Sequence, residues 1–247
     1  MKLNGLSNQL IGRSIADSLK ILASEFPGKI IFTTSFGIED QVITHIIFKH
    51  NIPVEVVTLD TGRLFPETYR VLSETILKYN KKIKIYFPDH KEVEAMVTEK
   101  GPFSFYTSKE NRLECCRVRK VLPLNRALEG MECWISGIRA SQSENRNMMN
   151  DIEYDKDRKI FKYHPLFHWS LDDIEDFIKQ DNVPYNSLHD KGYPSIGCEP
   201  CTRAVLKGQD VRSGRWWWEK DGPKECGCHV GDTNRYVKNI IWLTSLK

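Results

Sequence analysis

The chain has 247 residues, 40% of them hydrophobic and 28% charged, so it can bury a proper core and is not a disordered polymer. A formal net charge of +3 is a smaller basic excess than nucleic-acid binding calls for, and no nucleic-acid partner is expected. Seven cysteines do not make a disulfide scaffold in a chain this long, no apolar run approaches a membrane span, and Met1-Lys2-Leu3-Asn4-Gly5 lacks the apolar core of a signal peptide; a reducing, cytoplasmic setting with no membrane partner is expected.

Ile15, Leu19, Leu22 and Phe26 share one face of a helix predicted from about Arg13 to Phe26, which Pro27-Gly28 ends. Lys29 to Thr34 reads as a buried strand, Ser35-Phe36-Gly37 as a turn, and Ile38 to His50 as a helix with Val42, Ile43, Ile46 and Ile47 inward. Val54 to Leu59 is a second strand, followed by the loop Asp60-Thr61-Gly62-Arg63 and a helix from Pro66 towards Tyr79. Lys84 to Phe87 is a third strand and Lys91 to Lys100 a helix; Cys115-Cys116 is read as opening another helix, and Cys133 to Gly137 as a fourth strand. This alternation implies an α/β fold with a doubly wound, mostly parallel sheet. Arg139 to Lys159 is polar, lacks a period and reads as a mobile loop. A short extended piece at Phe161 to Leu166 precedes a Ser170-capped helix from Leu171 to Gln180. From Asn182 to Lys224 the chain is rich in Gly, Pro and aromatics and reads as an irregular layer in need of a staple. No linker or repeat divides the chain, and one domain over 1–247 is expected, with 222–247 as a mobile C-terminal arm.

Four cysteines stand out as an adjacent pair, Cys115-Cys116, and a C-x-x-C, Cys198 and Cys201. One zinc ion holds its sulfurs at about 2.3 Å, and neighbouring side chains on a helix diverge too much to close easily on it. An iron–sulfur cluster gives each cysteine its own iron, so diverging thiolates can all reach it. A [4Fe–4S] cluster on Cys115, Cys116, Cys198 and Cys201 is the favoured reading; a zinc site and four buried thiols are the alternatives. The turns after three strands, at Ser35, Asp60 and Ser136-Gly137-Ile138-Arg139, fall at the carboxyl edge of the sheet, where a nucleotide-sized pocket is expected. The turn at Ser35 leads into a helix N-terminus suited to an anion. Arg117, Arg119 and Lys120 follow the cysteine pair, and Arg212 and Arg215 precede Trp216-Trp217-Trp218; arginine forks suit phosphate or sulfate. The three tryptophans suit packing or a subunit contact, leaving a homo-oligomer open. Near the C-terminus, Cys226 and Cys228 lie beside Lys224 and His229, and a thiol beside positive charge is a candidate nucleophile.

Taken together, these motifs resemble the assimilatory sulfonucleotide reductases, and among them the cluster-containing adenylyl-sulfate reductases, from about Lys29 to His229. The matching residues are the modified phosphate loop Ser35 to Asp40, the Leu-Asp-Thr-Gly-Arg turn Leu59 to Arg63, the four cysteines, Lys120, the Arg212 to Glu219 stretch, and the Glu225-Cys226-Gly227 arm with His229. The resemblance implies a fold of the adenine-nucleotide alpha-hydrolase (PP-loop) type and thioredoxin-dependent reduction of adenylyl sulfate to sulfite and AMP. It implies that main-chain groups of Leu59 and Gly137 read the base. Ser35, Lys120, Arg146, Arg212 and Arg215 would hold the phosphosulfate, with Gly37, Thr61, Gly62 and Arg63 completing the substrate site. Cys226 would be the nucleophile, assisted by His229, and would pass through an S-sulfocysteine; thioredoxin or a similar dithiol protein would release sulfite. Two departures stand out: Cys228 replaces a usual Leu or Ile, and the tail from Val230 to Lys247 runs beyond many members. The alternatives are a phosphoadenylyl-sulfate or dual-substrate reductase, an ATP pyrophosphatase, and a zinc-stapled binding module.

Overall fold

The computed structural model describes residues 2–142 and 149–219. Six strands form one sheet: β1 (Ile30–Thr34), β2 (Glu55–Leu59), β3 (Lys84–Tyr86), β4 (Cys133–Ile135), β5 (Ile152–Asp155) and β6 (Ile160–Tyr163). Their order is β3-β2-β1-β4-β6-β5, with all neighbours parallel except the β5–β6 hairpin. The central strands read as apolar runs because both their faces are covered. In β1, Ile30 and Phe32 join one core cluster while Ile31 joins the other; Val56 and Val57 divide likewise in β2. The first cluster lies under α1 (Lys2–Leu10), α2 (Ile15–Glu25), α3 (Ile38–Lys49) and α8 (Leu171–Gln180). The second is closed by α7 (Leu122–Leu128), which brings Leu124 and Ala127 onto Ile31, Val57 and Trp134.

Two features depart from the sequence expectation. The presumed loop 139–159 contains β5, which escapes notice because its inward end is charged. Asp155 is buried and carries Lys162 at 2.7 Å and Arg158 at 3.2 Å. Burial would raise the Asp155 carboxyl, but the Lys162 and Arg158 contacts outweigh it and hold it at about 2. The second departure is that Cys115 and Cys116 close a helix rather than open one. They end α6 (Lys109–Cys116), and a π turn, Arg117–Val121, joins α6 to α7. Pro123 has no N–H to give to the preceding turn, and the Leu122 N–H reaches back five residues to the Arg117 carbonyl. Lys120 lies within this π turn and lines the same small cavity as Cys116.

A third, smaller core is built on α5 (His90–Lys100), which follows α4 (Pro66–Tyr79) and β3. It gathers Met96, Phe105, Cys115, Val118, Cys201 and Trp216, with Cys116, Cys198 and Trp218 at its margin. Its N-terminal side comes from α5, α6 and the π turn, while regular structure is sparse in the part from 182 to 219, as the Gly- and Pro-rich sequence there implies. Backbone bonds stitch it instead: Glu199 N–H to the Arg63 carbonyl at 2.9 Å, and Trp216 N–H to the Cys201 carbonyl at 3.2 Å.

Candidate functional site

The strand order reverses at β1, whose neighbours β2 and β4 send their chains to opposite sides, and a crevice opens beyond the carboxyl ends there. A cavity of about 590 Å³ fills it. Seven of the sequence-predicted residues line its wall: Ser35, Gly37, Leu59, Lys120, Gly137, Arg212 and Arg215. They come from the ends of three parallel strands, from the π turn and from the C-terminal layer, so the fold gathers what the chain scatters.

One side of the crevice is a held backbone. Phe36, not Gly37, takes the left-handed conformation (φ 60°); its ring is buried, and its N–H is bonded to Thr34 Oγ1 at 3.1 Å. A bulky residue at positive φ is a strained conformation that its surroundings must impose. Asp40, in the first turn of α3, accepts hydrogen bonds from the Ser35 N–H at 2.6 Å and the Ser35 hydroxyl at 2.7 Å. It also meets the Gly137 N–H, and a Cβ at Gly137 would overlap its carboxylate. Glycine is therefore required there by close approach, with no help from an unusual φ. Burial pushes the Asp40 carboxyl up to about 6, against the hydrogen bonds of Ser35 and Gly137. Beside it, Glu39 accepts from Arg139 Nε and Gln142 Nε2, both at 2.9 Å, which ties the β1 and β4 loops together. His189 also faces the cavity, and burial lowers its pKa despite nearby Glu39 and Asp190. Neither the Asp40–Gly137 contact nor His189 had a sequence signal beyond residue type.

The four predicted cysteines meet in a second, small cavity, which they line with Arg63, Phe105, Arg112, Arg119, Lys120 and Pro200. All four are free thiols. Lys120 lines both cavities and so stands between them. Thr61 and Arg63, expected at the substrate, border the cysteines instead. Thr61 Oγ1 lies 3.3 Å from Cys198 Sγ, and the Thr61 carbonyl accepts from Arg119 Nη1 at 2.7 Å. Gly62 supplies the left-handed turn (φ 69°) and gives its N–H to Asp60. Burial raises the Cys115 thiol, opposed by Arg119, and pushes Cys201 up to about 12.

Around the sulfurs, buried N–H donors outnumber acceptors, of which the Glu219 carboxylate on Arg112 is one. Arg112 Nη1, Arg119 Nε, Trp216 Nε1 and Trp218 Nε1 are buried N–H groups with no well-formed hydrogen bond among the described residues. Buried donors are ordinarily satisfied, so several of them in one small core match an anionic group. No three His, Cys, Asp or Glu side chains among the described residues converge on a single ion position. A multi-iron group does not ask for that convergence, since each cysteine takes its own iron. The sulfurs and their donors thus fit an iron–sulfur cluster. Arg146, Cys226, Cys228 and His229 lie outside the described residues.

Residues 29–204 match the phosphoadenosine phosphosulfate reductase domain. The chain is 45% identical over 225 residues to a protein named adenosine 5'-phosphosulfate reductase from Agrobacterium fabrum, covering 91% of this chain and 86% of that one. A protein of the same name from Sinorhizobium fredii is 47% identical over 227 residues, covering 92% and 90%. Among solved structures, a phosphoadenylyl-sulfate reductase from Candida auris in complex with phosphate superposes with a TM-score of 0.70 at 29% identity, over 82% of this chain and 96% of that one. An FMN adenylyltransferase from Candida glabrata, at 16% identity and a TM-score of 0.52 over 99% and 89%, shares the fold alone. The sheet order and these neighbours make the fold one of the adenine-nucleotide alpha-hydrolase, or PP-loop, type.

Proposed function

The chain belongs to the phosphoadenosine phosphosulfate reductase domain family, and on that premise we propose that it reduces adenylyl sulfate to sulfite and AMP in sulfate assimilation. The observation that carries this reading is one cavity wall: a strained, anion-suited β1 loop at one side, and Lys120, Arg212 and Arg215 reaching it from the cysteine layer. The relatives' names select adenylyl sulfate over its 3′-phosphorylated counterpart.

Leu59 and Gly137 are set to read the base through main-chain groups, and Ser35, Gly37, Lys120, Arg146, Arg212 and Arg215 to hold the phosphosulfate. Their charge orients the substrate and stabilises the departing phosphate. The Cys226 thiolate attacks the sulfur, the S–O bond to the phosphate breaks, and AMP leaves with the electron pair. His229 beside it favours the thiolate. One thiol of a thioredoxin-like dithiol protein then attacks Cys226 Sγ, sulfite departs, and a mixed disulfide remains. The second thiol of the partner resolves it, so the partner is oxidised by two electrons and Cys226 is restored. Cys115, Cys116, Cys198 and Cys201 would hold a [4Fe–4S] cluster, with Thr61 and Arg63 beside it. Such a cluster would supply fixed charge and a staple for the layer that carries Lys120, since the thiols would provide both electrons. In this reading residues 1–247 form one domain, with 222–247 as its C-terminal arm, in a cytoplasmic protein.

The test is sulfite release with thioredoxin supplied, from adenylyl sulfate and from its 3′-phosphorylated form in parallel. Adenylyl sulfate without dithiol should add about 80 Da, one SO₃ group, to the peptide holding Cys226. Cys226→Ser should abolish the adduct and Cys228→Ser should keep it. Turnover of the 3′-phosphorylated substrate alone would reassign the substrate, and absence of both would overturn the reading.

A further inference from the structure

Arg112 is 1% exposed, deep in the cysteine layer, and its role is unexplained by the substrate site. Its guanidinium grips Glu219 with two parallel bonds, Nε to Oε1 at 2.7 Å and Nη2 to Oε2 at 2.8 Å. A bidentate arginine–carboxylate pair is strong and directional, and one this deep loses little to solvent screening. The same guanidinium lies over the Trp216 ring at 4.6 Å, and Arg215, which lines the substrate cavity, lies over that ring at 4.7 Å. Trp216 is itself held in the left-handed region (φ 42°), so its backbone is strained and its place is imposed by packing. Arg112 also lines the small cysteine cavity together with Cys116. Arg112 is therefore a joint between a cysteine of the proposed centre, a cavity arginine's stacking partner, and Glu219.

Glu219 is seven residues before Cys226 in the chain, at the root of the proposed arm. Replacing one partner of a buried pair leaves an uncompensated charge, so such pairs are strongly fixed once formed. We propose that Glu219 is a positioning residue: its pair with Arg112 fastens the root of the C-terminal arm to the cysteine centre and sets the origin from which Cys226 reaches the substrate. The inference rests on the reading of Cys226 as nucleophile. It adds that arm delivery depends on a latch at the centre rather than on contacts of the arm tip alone.

The experiment uses the iron-loaded full chain with Glu219→Gln, which keeps the shape and removes the charge, and Glu219→Asp, which keeps the charge. Four readouts are taken: iron content, AMP affinity, the single-turnover rate of the 80 Da adduct on Cys226, and trypsin cleavage after Lys220 and Lys224. The expected result for Glu219→Gln is unchanged iron and AMP affinity, an adduct rate lower by about a hundredfold, the scale of an ångström-level misplacement, and faster cleavage. Glu219→Asp should reverse part of both effects. Unchanged adduct rate and cleavage in Glu219→Gln would overturn the latch, and so would loss of iron, which would assign Glu219 to holding the centre. If the wild-type protein forms no adduct, the nucleophile reading fails separately, and cleavage of the two variants still decides whether Glu219 fastens the arm root.

Discussion

The two halves of the substrate cavity are built on different physics. The sheet half is an apolar core with a backbone ladder: Ile30, Ile31 and Phe32 are sealed on both faces, and the β1 loop is positioned by what lies beneath it. The cysteine half joins α5, α6 and the π turn to an irregular C-terminal layer, around a small core in which sulfur, guanidinium and indole groups mix with a few aliphatic side chains. The first half is stable from its own burial. The second presents buried donors without a hydrogen-bond partner among the described residues, so its order should be linked to whatever those donors hold. Lys120, Arg212 and Arg215, the residues proposed to meet the substrate's charge, line the cavity from this second half. Binding and activity should therefore fail before the sheet does.

The largest effect expected is on that contrast itself. Cys201→Ser should lose iron and all turnover. Hydrogen exchange should rise across 104–121 and 198–219 while β1, β2 and β4 stay protected. Equal loss of protection in the strands would dissolve the distinction between the halves. Next, Asp155→Ala removes the buried carboxylate that faces Lys162 across the β5–β6 hairpin. It leaves the Lys162 ammonium buried without its 2.7 Å partner, and should cost about 3–5 kcal/mol in denaturant unfolding with iron content unchanged.

A third test sharpens the sheet half through pH. The folded Asp40 carboxyl, at about 6, sits above its unfolded value near 3.9, so the folded state keeps its proton to higher pH. Unfolding free energy should fall as pH rises from about 4 to about 6, by roughly 3 kcal/mol from this group, and then level off. Asp40→Asn should flatten that slope in urea titrations across the range. The smallest effect belongs to Arg215→Ala. Removing this one charge-assisted hydrogen-bond donor should weaken transition-state binding, read from kcat/KM, by about 1.5–3 kcal/mol, with iron retained. An unchanged kcat/KM and AMP affinity would leave Arg215 a packing residue on Trp216.

The elements that local pattern could reveal were legible. The Ser170 cap and acidic first turn mark α8 from Leu171 to Gln180, and its capping box with Asp173 bears this out. The strands at β1, β2 and β4 announced themselves as apolar runs. β5 did not, because Asp155 faces inward and is neutralised only by Lys162 on the next strand, with Arg158 in the turn between them. Thr61 and Arg63 were read with the substrate because their loop follows a strand; folding turns them to Cys198 and the cysteine cavity.

By itself, the sequence determined the parallel α/β plan, the four cysteines as one set, and the basic residues that would suit a sulfate ester. Those follow from residue type and short-range period, which need no partner to be recognised. Tertiary structure alone decided that Lys120 borders both cavities, that Gly137 yields to Asp40, and that Arg112 closes on Glu219. Each of those depends on groups 97 to 107 residues apart, or on a π turn imposed by a downstream proline. A hydrogen bond or ion pair acts over about 3 Å, and only the packed chain brings such distant residues within that reach.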